Sequence, residues 1–585
     1  MKRKFDEKAF HQVEEITTLK HMLQLSAQKY GNHPAFLVKK EKGRDYEKIK
    51  YRQLKNDVDA LGTSLLEMGL EDSKIAIIGE NCYEWIVAYL AIVNGVGTAV
   101  PFDKELSGEE IINLLKISEC EGVFFTDTFE EIFEDYPIKH KIRMKVYGDR
   151  TDLTEKLEVD FEQREIVEWT GLVGKGEALI ANGDDSFINK ELDPEKMSML
   201  LFSSGTTGAA KGVMLCHRNI VSNVIDTCRI VNITPRDRTL SLLPIHHTFE
   251  NTLGMLLILH RGASAAFCEG LKYVTKNFVE AKATILIGVP LIFESIYNKI
   301  WKQAEKNNLS GVLKKAIKLN KFLKLFGISV ERKLFKTIHD SFGGNLRMAV
   351  CGAAAIDPSV AEGFEDFGIS FLQGYGLTEC SPLVSGTPDF SNRKKKSDSV
   401  GPVVPSGEMK IKDADEDGIG EVIYKGPNVM LGYYKMPDET AKVLKDGWFH
   451  TGDLGYIDDE GWLYLTGRKK NVIVTKTGKN IYPEEIEIHV NRSKYIHESI
   501  VHGVDESEDA GTIVGIQVHP DYSIIYDEFG SEFDDASVQK LIKDVIRDIN
   551  DKLPIYKRIR NISIRKDEFI KTTTKKIQRF KHITK

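Results

Sequence analysis

Lys74–Phe102 reads KIAIIGENCYEWIVAYLAIVNGVGTAVPF. A short apolar run, a longer helical run and a second short apolar run follow one another, which predicts a βαβ unit of a parallel sheet. The alternation returns twice downstream. ATILIGVP runs into LIFESIYNKIW at 283–301, and LRMAVCG at 346–352 precedes DPSVAEGFEDFG, a helix that Asp357 is placed to cap. The chain therefore reads as α/β, with a large body of parallel sheets covered by helices. Beyond Pro405 the texture changes to short alternating runs broken by Gly and Asp (GEMKIKDA, GEVIYKG, GWLYLTG), which predict a β-rich subdomain over about 405–467. The remainder combines two strands, ESIVHGVD and GTIVGIQVHP, with the amphipathic SVQKLIKDVIRDINDKLP, and reads as a small α+β unit. The expected domains are thus 1–467, including a helical insertion at about 299–345, and 468–585.

Composition narrows the function classes. In 585 residues, 42% are hydrophobic, enough for a large core and too many for wholesale disorder. A net charge of -7 gives no global basic field, so nucleic acid is not an expected partner. The seven cysteines form no CxxC pair and are odd in number. They read as reduced, mostly buried thiols of a cytoplasmic protein. The N-terminal MKRKFDEKAF lacks an apolar run, and the longest such run, Ala283–Phe293, is too short to span a bilayer. One segment departs from the overall balance. Lys299–Lys336 holds ten Lys and Arg332 against Glu305 and Glu331, with Trp301, Leu319, Phe322, Leu323, Leu325 and Phe326 between them. It reads either as a peripheral membrane contact or as a helix whose charges face water.

Phe202–Gly212, FSSGTTGAAKG, follows the apolar MSMLL. Gly205, Gly208 and Gly212 let backbone amides approach an anion, while Ser203, Ser204, Thr206 and Thr207 add hydroxyls and Lys211 adds a cation. On residue types this is a polyphosphate cradle or a Gly/Ser-rich turn. It is not a Walker A loop, because Lys211 lies between Ala210 and Gly212.

The segment resembles the signature loop of acyl-adenylate-forming enzymes, the superfamily of acyl-CoA synthetases, luciferases and peptide-synthetase adenylation domains. Gly374-Tyr375-Gly376-Leu377-Thr378-Glu379, Thr451-Gly452-Asp453, Gly467-Arg468-Lys469-Lys470 and Lys571-Thr572-Thr573-Thr574-Lys575-Lys576-Ile577 then match its motifs in order, over about residues 20–580. The resemblance implies that ATP and an organic acid form an acyl-adenylate with loss of pyrophosphate. It implies that Glu379 and Thr206 hold Mg²⁺, Thr378 contacts the phosphates, Tyr375 stacks on adenine and Gly352, Ala353 and Ala354 border it. Asp453, assisted by Arg468, would take the ribose hydroxyls. Lys576 would be the terminal catalytic lysine, although Lys575 stands where Gly commonly precedes it. Lys470 matches a hinge that makes the small domain mobile, and Gly478 with Lys479 matches the loop used for the thioester step. Pro244–Glu250, PIHHTFE, resembles the acyl-pocket segment, with His247 near the carboxylate or satisfied as a core histidine. This run and the basic insertion are most similar to the long-chain fatty-acid CoA ligase branch. The expected activity is ligation of a medium- or long-chain fatty acid to CoA. The alternatives are an aryl or other acid, a separate acyl carrier protein as acceptor, or a non-catalytic ATP-binding scaffold.

Overall fold

Lys74–Phe102 folds as its alternation requires. Lys74–Ile78 is a strand, Tyr83–Ala91 a helix and Thr98–Pro101 a strand, with Ile75 beside Ala99 in parallel register. All nine helix residues are buried, as expected of a helix that is apolar on nearly every face. The computed structural model describes residues 10–147, 166–203, 210–390, 395–475, 479–505, 512–530, 532–572 and 576–583.

Around this unit an eight-stranded sheet is built. Its order is Gly432–Tyr433, Lys211–Cys216, Met197–Ser203, Thr98–Pro101, Lys74–Ile78, Gly122–Thr126, His140–Met144 and Ile166–Glu168. The pairs from Thr98 outward to Ile166 are parallel, and the two pairs at the opposite edge, beginning with Met197–Ser203 on Lys211–Cys216, are antiparallel. Beside it, helices Tyr51–Glu67 and Trp169–Ala181 approach so closely that a Cβ on Gly176 would stand 1.8 Å from the Ala60 carbonyl oxygen. Only glycine fits there.

A second eight-stranded sheet runs Leu383–Gly386, Ser370–Gly376, Met348–Cys351, Ile285–Gly288, Arg238–Ser241, Ser264–Phe267, Pro34–Val38 and Glu47–Lys50. The predicted ATILIGVP and LRMAVCG strands are adjacent and parallel within it. Asp357 caps helix Pro358–Asp366 by accepting a 2.9 Å hydrogen bond from the Ser359 amide. That helix packs Phe364 against Phe293 and Phe371 in a buried cluster that covers one face of the sheet.

Both sheets lie in one compact unit, Lys4–Glu408 with Lys425–Leu444. A second unit gathers Met409–Tyr424 and Lys445–Lys585. In it Gly420–Lys425, Trp448–Ile457 and Leu463–Arg468 pair antiparallel, the β-rich texture read from the sequence. These strands group with the C-terminal segment rather than with the larger body. The reason is local: helix Pro483–Val490 packs on Leu463–Arg468, and a Cβ on Gly467 would lie 2.5 Å from the Glu484 carboxylate. The C-terminal sheet pairs Ile496–Asp505 antiparallel with Thr512–Pro520, which pairs parallel with Ile559–Ile564. Helix Asp535–Asn550, capped by Asp534, buries Val538, Ile542 and Ile546 beneath it. All seven cysteines are free thiols, five of them buried. Among the described residues no helix is long and apolar enough to cross a membrane.

Candidate active site

The phosphate-loop sequence forms a hairpin. Met197–Ser203 and Lys211–Cys216 run antiparallel, with Ser203 opposite Lys211 and Phe202 opposite Gly212. Ser204, Gly205, Thr206, Thr207 and Gly208 lie outside the described residues. Lys211 Nζ sits 2.6 Å from Glu439 Oε2 and 5.0 Å above the Tyr433 ring. Tyr433 arrives because Gly432–Tyr433 adds to the hairpin edge, placing it opposite Val213. Its hydroxyl donates to Glu379 Oε1 at 2.9 Å. Glu379 follows strand Ser370–Gly376 in the short turn Thr378–Cys380, tied down where the Met430 amide donates to its carbonyl oxygen at 2.8 Å. Lys211, Tyr433 and Glu379 are thus one connected group, with Thr378 next to it in the chain. The Lys211 ammonium, joined by Lys442, holds the Glu439 carboxyl at about 2. Neither Tyr433 nor Glu439 stands out in the sequence.

These donors fit Mg²⁺. Among the described residues, Tyr433 engages one Glu379 oxygen, Oε1, and no side chain is seen to engage the other. Among the described residues no cluster of three or more metal-type side chains exists. Mg²⁺ suits such a place, since it commonly takes one or two carboxylates and completes its shell with water and phosphate oxygens.

The adenine-side candidates meet at the ends of two parallel strands. Met348–Cys351 and Ser370–Gly376 are neighbours, with Cys351 beside Gln373, so Gly352–Ala354 leaves the sheet alongside Gly374–Gly376, which prolong the neighbouring strand and pair with Leu383–Gly386. Carboxyl ends of parallel strands are where open α/β sheets bind ligands. Ala353 holds φ of +72°, a left-handed conformation costing roughly 1–2 kcal/mol for a non-glycine residue. Gly376 is required, because a Cβ there would stand 2.1 Å from the Pro382 carbonyl oxygen. Tyr375 is buried, so little of its ring faces solvent.

His247 lies just after a turn in which its amide donates to the Pro244 carbonyl, and its Nδ1 accepts from the Phe249 amide at 3.3 Å. The Phe249 ring lies about where Gly352 would carry a side chain, 3.0 Å from the ideal Cβ, so the His247 segment adjoins the Gly352 segment. Asn81 braces this segment by donating to Ser241 Oγ and the Leu243 carbonyl and accepting from the Ile245 amide. Ser241 Oγ in turn donates to Glu250 Oε1 at 2.7 Å. Complete burial pushes the Glu250 carboxyl up to about 8, so it is mostly protonated at neutral pH. Sequence reasoning singled out His247 here and missed both Asn81 and Glu250.

The second unit holds the remaining candidates. Gly452, at φ of +68°, turns the chain between Thr451 and Asp453. Asp453, buried in strand Trp448–Ile457, faces Arg468 across the ladder, and Arg468 Nε donates to Asp453 Oδ1 at 2.7 Å. Lys576 is held against Thr572. Lys571 pairs with Ile577, the Thr572 amide donates to the Lys576 carbonyl, and the Lys576 amide donates to Thr572 Oγ1. Its side chain enters the field of Arg468, Asp453 and Glu484. Crowding by protein atoms, then Arg468, lowers its pKa, while Asp453 and Glu484 oppose the shift. Much of the residue nevertheless remains open to solvent. Lys470 shares this field. Burial, then Arg468, Arg579 and Lys576, brings it down to about 8. The structure therefore brings Asp453, Arg468, Lys470 and Lys576 together. Lys479 closes the hairpin of Ile473–Val474 with Asn480–Ile481 and stands 4.6 Å over the Tyr556 ring, whereas Gly478 lies outside the described residues.

Comparison with known proteins accords with this geometry. The profile described as "AMP-binding enzyme" matches residues 23–434. Human "Long-chain-fatty-acid--CoA ligase 1" is 30% identical over 530 residues, covering 85% of this chain and 73% of that protein. An Escherichia coli "Long-chain-fatty-acid--CoA ligase" is 27% identical over 580 residues, covering 91% and 94%. In fold, the chain is similar to ATP-bound MatB from Rhodopseudomonas palustris, with a TM-score of 0.71 at 23% identity over 96% of this chain and 97% of that one. The match over residues 23–434 shows that this chain belongs to the AMP-binding enzyme family.

Proposed function

We propose that the protein activates a medium- or long-chain fatty acid with ATP, forming acyl-AMP and pyrophosphate, and then transfers the acyl group to CoA with release of AMP. The observation that carries this reading is the likeness, over most of the chain, to relatives named long-chain-fatty-acid–CoA ligases.

A carboxylate is a poor electrophile until its oxygen is exchanged for a better leaving group. Attack on the α-phosphorus needs cations and oriented donors more than covalent help from the protein. In this reading Lys211 exchanges Glu439 for the ATP phosphates, and Ser203, Ser204, Thr206, Thr207 and Thr378 donate to them. Gly205 and Gly208 keep the loop backbone close. Glu379, held by Tyr433, and Thr206 hold Mg²⁺, which supplies charge neutralisation on the phosphates. Gly352, Ala353, Ala354, Gly374, Tyr375 and Gly376 line the adenine side. Asp453 accepts the ribose hydroxyls, and Arg468 fixes its orientation. Lys576 neutralises the acid carboxylate as the new P–O bond forms. The segment beyond Lys470 turns about that residue between the two half-reactions, bringing Gly478 and Lys479 to the thiol. His247 borders the reacting carboxylate. The site of action in this reading is the cytoplasm.

The experiment is a panel of acids from acetate through palmitate, with aryl acids, assayed for AMP release with CoA or with a phosphopantetheinylated carrier protein. An apolar tunnel gains about 0.8 kcal/mol per buried methylene, so kcat/KM rises roughly fourfold per methylene until the tunnel is filled. Highest kcat/KM on an aryl or two-carbon acid, or turnover with carrier protein alone, contradicts the reading.

A further inference from the structure

The basic insertion carries two apolar faces and uses only one. In helix Ser310–Lys324, the half-buried Leu313, Ile317 and Leu323 and the buried Asn320 turn inward, with Asn320 Nδ2 donating to the Asp366 carbonyl at 3.0 Å. The outward stripe repeats at helical spacing through Val312, Lys315, Leu319 and Phe322 and continues in the following turn with Leu325 and Phe326. Val312 is 61% exposed, Leu319 50%, Phe322 56%, Leu325 81% and Phe326 66%. The Phe322 and Phe326 rings pack on each other, 5.1 Å apart, outside the fold. Clustered apolar exposure of this kind marks an interaction surface.

The charges around the stripe name the partner. Lys321 is engaged by Asp366 and Lys324 by Glu331, both at 3.0 Å, so these two lysines serve the fold. Lys314, Lys315 and Lys318 make no ion pair among the described residues, and Lys314 lies 6.0 Å from the Trp301 ring centre. Lys314 and Lys318 lie beside the apolar stripe and Lys315 within it, on a chain whose net charge is -7. A helix with bulky apolar side chains on one edge and lysines beside them lies in the interface of a bilayer that carries negative headgroups. Lysine stems cover apolar surface while their ammonium groups reach the headgroups. We propose that this outward stripe, Val312 to Phe326, docks the protein on an anionic lipid membrane.

The test is co-sedimentation of the full chain with vesicles of phosphatidylcholine alone and of phosphatidylcholine mixed with phosphatidylglycerol. Binding to the mixed vesicles only, and weakening with added salt, is expected. Lys314→Gln/Lys315→Gln/Lys318→Gln should lose roughly 100-fold in vesicle affinity, at about 1 kcal/mol for each lysine near the surface. Phe322→Ser/Leu325→Ser/Phe326→Ser should lose at least about tenfold. Because these side chains are exposed, both variants should keep the parent thermal midpoint. Equal binding to neutral and anionic vesicles overturns the proposal, as does retention of affinity within about threefold by either variant. So does a lipid-free oligomer that the serine variant dissociates in a protein that binds no vesicles, since the stripe would then join two copies of this chain.

Discussion

Glu250 offers a quantitative test of how the PIHHTFE segment is held. Its carboxyl is buried, bonded to Ser241 and raised from an ordinary 4.5 to about 8. Between those two values the folded state keeps a proton that the unfolded chain releases. Stability contributed by the protonated group is therefore complete below about pH 4.5 and is lost as pH rises through about 8. Glu250→Gln keeps the shape and removes the titration. From about pH 5.5 to 7.5 the variant should gain on the parent by about 3 kcal/mol, at 1.36 kcal/mol per pH unit. A pH-independent offset from the extra amide donors is expected and does not affect the slope. For a unit of this size that corresponds to roughly 3–6 °C in the difference between thermal midpoints. The assay is thermal unfolding of both proteins at the two pH values. A midpoint difference that stays constant within about 1 °C refutes a proton held on Glu250.

Tyr433→Phe keeps the ring under Lys211 and removes only the hydroxyl that donates to Glu379. Hydrogen bonds to charged groups are worth about 1.5–3 kcal/mol, so kcat/KM for ATP with Mg²⁺ should fall roughly 10- to 100-fold at an unchanged thermal midpoint; a change within about twofold excludes a role for Tyr433 in placing Glu379. Gly176→Ala forces a methyl against the Ala60 carbonyl and should destabilise the larger unit by about 1–3 kcal/mol or more, read as a lowered midpoint; an unchanged midpoint would disprove the close helix approach. Asp453→Ala leaves Arg468 beside Lys576 without its carboxylate, so KM for ATP should rise at least about tenfold and the Lys576 pKa should fall further below its ordinary value, measured by pH-dependent amine labelling of that residue; an unchanged Lys576 titration would exclude the coupling.

The parts of the fold legible in the sequence are those set by short-range pattern. Lys74–Phe102 shows its strands and helix because a covered parallel sheet needs unbroken apolar runs. The order of strands is not visible in that way. Lys74–Ile78 lies between Thr98–Pro101 and Gly122–Thr126, and Met197–Ser203 inserts beyond Thr98–Pro101 through pairing that no local signal encodes. The site divides similarly. Small residues at 352–354 and the TGD turn announce themselves, whereas Tyr433 acquires its role only by pairing opposite Val213. Glu439, 228 residues from Lys211, acquires its role only by folding. The β-rich strands are legible as short alternating runs, yet their grouping with the C-terminal segment involves the Glu484 carboxylate lying against the Gly467 backbone, a close approach rather than a periodicity. Lys576 departs from the usual motif in following Lys575 rather than Gly, and its contacts with Thr572, beside the Lys571–Ile577 pairing, arise only on folding.

The central claim is that the Lys576 ammonium serves the adenylation step. Acid-dependent exchange of labelled pyrophosphate into ATP measures that step without CoA. Lys576→Ala should abolish the exchange with palmitate while still converting supplied palmitoyl-AMP and CoA to thioester. Exchange at the parent rate, or loss confined to the thioester step, would contradict the account.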